Sequence, residues 1–136
     1  MTSVSDEHGN MTAVVEHFDL DREITSLQQQ KPSGTGVRSK LLFKNADLRV
    51  VLLSLSAGAH LDEHHADGTC SVHVLRGAVH LRTNEQTHEL GPGHVLTLAA
   101  STPHSVSAAQ EAVFLLTLSW PRDQELRALK HRGYGS

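Results

Sequence analysis

The chain has 136 residues, 38% of them hydrophobic, and a net charge of −3 with its eleven histidines neutral. That length carries one core, and its basic residues are spread too evenly to track a phosphate backbone, so nucleic acid is not an expected partner. No apolar run approaches the ~18 residues of a membrane span, the N-terminus lacks signal-peptide regions, and a lone cysteine forms no internal disulfide, so a cytoplasmic protein with no membrane contact is expected.

Residues 1–15 mix Ser, Thr, Asp, Glu and Gly without a period and are expected to be loose, which leaves 16–136 as the single domain. Phe18, Leu20, Ile24 and Leu27 recur at helical spacing, with Asp21 able to cap and Glu23 in the first turn. The spacing predicts a short amphipathic helix, ended by Lys31-Pro32-Ser33-Gly34, whose apolar face covers the open side of the fold or a partner subunit.

Strands are predicted over Val37–Lys44, Leu48–Ser56, Leu61–His65, Cys70–Leu75, Ala78–Thr83, Gln86–Leu90, Val95–Leu98, His104–Ala108 and Ala112–Trp120. Short strands at such regular spacing argue an all-β sandwich or barrel. Pro121 stops the last strand, and Asp123–His131 carries Leu126 and Leu129 in a short C-terminal helix.

In that last strand Phe114, Leu116 and Leu118 alternate with Val113, Leu115 and Thr117, so it is apolar on both faces and is buried on both. A second sheet or a symmetric partner is expected over the outer face, which makes a homodimer the expected assembly. Trp120 and Phe43 are candidates for the same covered surface or for plain core packing.

Between Gly58 and Gly77 lie four of the eleven histidines, His60, His64, His65 and His73, and the only cysteine, Cys70. Imidazole and thiolate are the side chains that bind borderline metals best. A second segment opens with Gly91-Pro92-Gly93, runs through the apolar strand Val95–Leu98 and ends in Pro103-His104. If His64 faces inward, strand alternation brings Cys70 beside it, turns Val72 and Val74 inward, and sends Ser71, His73 and Leu75 to the other face.

Together the two segments resemble the two motifs of the cupin superfamily, in the manner of a small RmlC-like cupin with a degenerate metal motif. In the first motif Gly58, His64 and Gly77 match the frame, while Ala66 stands at the second histidine and Cys70 at the glutamate. In the second, Gly93 and His104 match, while Ala99, Ser101 and Ala108 replace Pro, Gly and Asn. The resemblance covers residues 40–120 and implies a double-stranded β-helix, the cupin jelly-roll barrel. It implies a metal site of His64, Cys70 and His104 for a divalent transition ion, Zn, Fe, Ni or Cu, with open positions for water or substrate.

A second register, Glu63 and His65 with Cys70, also fits the first motif, but the five-residue gap after Gly58 singles out His64 and leaves His65 a supporting or solvent role. The opposing view is a barrel without its ion, since two ligand positions are changed and a buried cysteine is commonly an inert small hydrophobe. His73 reads as a packing or interface residue and His60 as a rim residue. His80 and His88 flank the Asn84-Glu85 turn toward solvent, His94 opens a strand, and His8, His17 and His131 lie in the termini.

Two functions follow. One is a metal-dependent enzyme of dioxygenase or isomerase type on a small-molecule substrate, although Glu63 is the only carboxylate near the motif and no general base stands out. The other is a non-catalytic small-molecule-binding or sensing barrel without metal, in which His64 and His104 orient the ligand. A dimeric scaffold without a ligand is the third reading.

Overall fold

The computed structural model describes residues 3–5, 11–13 and 15–120. Within the stretch read as loose, β1 (Ser3–Ser5) and β2 (Met11–Ala13) form an antiparallel pair. The helix α1 (Leu20–Gln28) follows, and then nine strands: β3 (Val37–Lys44), β4 (Leu48–Leu55), β5 (His60–His64), β6 (Cys70–Arg76), β7 (Val79–Arg82), β8 (Thr87–Leu90), β9 (Val95–Leu98), β10 (His104–Ser107) and β11 (Ala112–Ser119). Each matches an expected strand to within a residue or so at its ends. The helix expected over 123–131 lies outside the described residues. No helix among the described residues is long and apolar enough to cross a membrane.

The nine strands form two antiparallel sheets, ordered β3-β4-β11-β6-β9 and β5-β10-β7-β8. Consecutive strands repeatedly land in opposite sheets, which is the winding of a jelly roll. The core sits between the sheets and follows the alternation of each strand: Cys70, Val72 and Val74 of β6 are buried with Val79, Leu81, Val106, Leu53, Leu55 and Phe114. Ser71, His73 and Leu75 point the other way and are half-buried, as expected from period-two alternation. The β6–β7 turn requires Gly77: it has φ +69°, and a Cβ there would stand 2.2 Å from the Glu111 carbonyl oxygen.

The outer face of the five-stranded sheet is apolar too, and α1 covers part of it. Ile24 and Leu27 are buried against Leu52 and Val113, with Leu42, Leu75 and Leu115 around them. On β11 the helix covers Val113 and Leu115, so the chain itself buries this part of the second apolar face. The helix does not cover the open side of the barrel, because its two buried residues face the outer sheet surface. Its cap is Asp19, whose side chain accepts from the Arg22 amide at 3.3 Å. Asp21, the expected cap, instead pairs with Arg76 at 3.1 Å.

Candidate functional site

The site starts from an irregularity in β5. Along β10, His104 pairs with His64 and Val106 with Leu61, so two steps on one strand match three on the other. The extra residue is a β-bulge at Asp62-Glu63, and it resets the alternation of β5. Leu61 packs into the core, and past the bulge His64 turns to the same side, toward the cavity and His104, while staying solvent-exposed. Without the extra residue, positions 61 and 64 would face opposite sides.

His64 and His104 consequently meet, with ring centroids 4.2 Å apart and planes tilted by 59°. Each ring is held by the chain two residues before it: Nδ1 of His64 lies 2.8 Å from the Asp62 carbonyl oxygen, and Nδ1 of His104 lies 2.9 Å from that of Thr102. A carbonyl only accepts, so Nδ1 carries a proton and donates in both rings, and in the neutral imidazole Nε2 is then the nitrogen that keeps its lone pair. Burial pushes the pKa of His104 down; the Thr102 carbonyl opposes this, and the neighbouring His64 and His65 add to it. His104 is therefore neutral at pH 7.

A cavity of about 280 Å³ opens in front of the pair. His64, His65 and His104 form its polar end, with Ala66 and Asp67 at the loop after β5. Cys70, Leu116, Leu118 and Trp120 make its apolar wall. The Arg49 guanidinium lies over the Trp120 ring, 4.4 Å from its centroid, and the Trp120 amide donates to the Asp47 carbonyl at 2.7 Å, so the indole is fixed at the rim.

The three expected metal ligands are only partly united. His64 and His104 are in contact, and Cys70 lines the same cavity, but it is 3% exposed and burial pushes its thiol up, so the sulfur is protonated at neutral pH. Among the described residues no three His, Cys, Asp or Glu side chains are placed to hold a metal ion. The alternative register fails at Glu63, which is exposed and lines a depression with His60, His80 and Arg82, away from the histidine pair. His65 does reach the cavity.

The other described histidines fall outside this cavity. His60 stands 3.3 Å from Asp62, and His80 stands 3.9 Å from Glu89. His88 contacts Gln86 at 2.8 Å, His94 accepts from the Gly91 amide, and His73 is half-buried opposite Leu115 and Val95. Trp120 is the site residue that sequence reasoning assigned elsewhere. The signal was present: it continues the Phe114, Leu116, Leu118 face of β11 by one more step of two.

Ser101 closes the geometry. It is the one described non-glycine residue with positive φ, 63°, at the position where the second cupin motif has glycine. Its amide donates to the Ala66 carbonyl at 2.7 Å, joining the loop before His104 to the loop after His64.

No curated protein sequence matches the chain. Solved structures do match its fold. A cupin superfamily protein from Desulfitobacterium hafniense is 19% identical with a TM-score of 0.64, over 70% of this chain and 87% of that one. An RmlC-like cupin from Shewanella frigidimarina is also 19% identical with a TM-score of 0.64, over 82% and 96%. The polyketide cyclase RemF from Streptomyces resistomycificus is 19% identical with a TM-score of 0.58, over 69% and 72%. The family model of the AraC-like ligand binding domain matches residues 50–133, more than half of the sequence. The chain thus belongs to the AraC-like ligand-binding domain family, and its jelly roll is that of a small cupin.

Proposed function

We propose that this barrel is a non-catalytic binding or sensing module that holds one small organic molecule in the cavity beside His64 and His104. The observation that carries the reading is the pairing of two imidazoles, each fixed by its own backbone carbonyl, at the polar end of an otherwise apolar cavity. Few polar groups at one end of an apolar wall is the usual construction of a small-ligand site. The cavity, about 280 Å³, lies just below the roughly 300–1,000 Å³ typical of such sites, which suits a molecule of one or two rings.

A second reading is a metal-dependent enzyme of dioxygenase or isomerase type, using Zn, Fe, Ni or Cu. It is favoured by the two free Nε2 positions, because a ligating histidine commonly donates its other nitrogen to a carbonyl. The rest of the donor set does not fit. Ala66 removes one ligand of the motif, and Cys70 supplies a desolvated thiol rather than a thiolate. Two protein ligands fall short of the three that catalytic zinc sites use.

The test is metal analysis of protein purified without chelator or affinity nickel, beside a thermal-shift screen of small organic compounds. The proposal expects substoichiometric metal, and compounds that stabilise the protein but not a His64→Ala, His104→Ala double variant. Near-stoichiometric metal that disappears in the double variant would establish the second reading instead.

A further inference from the structure

We infer that the ligand presents a hydrogen-bond donor, a hydroxyl or a protonated amine, on a compact apolar ring, and that carboxylates are rejected. This deepens the proposal above and rests on it. Both Nδ1 atoms are already committed to carbonyl oxygens, of Asp62 and Thr102, so each ring in its neutral form offers the cavity an acceptor and no donor. Two acceptors side by side attract a donor and repel an anion. Among the described residues that line the cavity there is no lysine or arginine. Arg49, at the rim, lies over Trp120 and its Nη1 donates to the carbonyls of Asn45 and Leu48.

The body of the ligand is set by the wall. Leu116 and Leu118 offer no hydrogen bonds and Trp120 only its indole N–H, so a polyol would lose most of its water there without replacement. Since a dry cavity of ~150 Å³ holds benzene, one of about 280 Å³ admits a substituted ring with its head group on the imidazoles.

Trp120 is the only tryptophan in the chain, so indole emission reports binding at this cavity. The probes are benzylamine, benzyl alcohol, their acceptor-only counterpart benzyl methyl ether, and benzoate, each titrated by fluorescence and by calorimetry at pH 7.5. With each hydrogen bond changing affinity about two- to tenfold, the amine and the alcohol are expected to bind at least about tenfold more tightly than benzoate. In His64→Ala, a change at an exposed position that spares the core, the ratio is expected to drop to about threefold or less. If benzoate or the ether binds as tightly as the amine and alcohol with the same Trp120 response, the donor requirement is wrong and the cavity still binds ligands. If the preference survives both His64→Ala and His104→Gln, the imidazoles do not set it. No response to any of the four at millimolar concentration overturns both this inference and the reading it rests on.

Discussion

The amide of Ser101 donates to the carbonyl of Ala66 at 2.7 Å, and this one bond links the loops that deliver His104 and His64. It exists because Ser101 adopts the left-handed region, φ 63°. That conformation costs an L-residue roughly 1–2 kcal/mol, while a glycine there would cost roughly 0.4–1 kcal/mol through the freer unfolded chain. Ser101→Gly is therefore expected to be more stable than Ser101→Ala, which also lacks the hydroxyl, by about 0.5–1 kcal/mol, read as a higher Tm with the cavity unchanged. Ser101→Val, a β-branched residue in the same conformation, should lower Tm.

Much of this architecture was legible in the residues. Alternation along Cys70–Arg76 and Ala112–Ser119 fixed which side chains enter the core, and glycine and proline turns placed the strand ends. The bulge at Asp62-Glu63 was not legible, because nothing in a run of polar residues marks which of them is unpaired. Only the motif spacing chose His64 over Glu63. The role of α1 was misread for a related reason: an apolar stripe says that something is covered, but the sequence does not name the surface. Likewise, two acidic residues at the helix start compete for one cap, and Asp19 wins because it sits where its carboxylate reaches the Arg22 amide.

The helix should behave as part of the core and not as a lid. Leu27 is fully buried against Leu52 and Val113, so Leu27→Ala should cost about 2–5 kcal/mol, a fall in Tm of roughly 3 °C per kcal/mol for a domain of this size. Ligand affinity measured below the transition should be unchanged. Asp19→Ala should cost about 1 kcal/mol by loss of the cap, and Asp21→Ala clearly less, since its pair with Arg76 is solvent-exposed. The reverse order would return the cap to Asp21.

Cys70 should behave as a buried thiol. It is 3% exposed and desolvation holds it protonated, so iodoacetamide at pH 8 should modify the native protein at least about tenfold more slowly than the denatured chain. With one cysteine in the sequence, the thiol count is unambiguous. Fast alkylation that added Zn²⁺ suppresses would instead mark Cys70 as an accessible thiolate ligand.

The pH dependence of stability follows from His104. Its pKa is lowered in the folded protein, first by burial and further by His64 and His65, against the Thr102 carbonyl. The unfolded chain, with a pKa of about 6.5, therefore binds the proton first as pH falls. Protonation then favours the unfolded state, so the contribution of His104 is fully present above about pH 6.5. It declines from there down to the lower folded pKa. The slope from this residue is at most about 1.4 kcal/mol per pH unit, the value for one whole proton. Chemical denaturation of wild type and His104→Phe between pH 8 and pH 5 is the measurement, and the phenylalanine variant should lose this component of the slope. A wild type that grows more stable from pH 7 to pH 5.5 through His104 would mean that the ring is charged in the folded state. Its Nε2 would then donate, and the acceptor pair in the cavity would not exist.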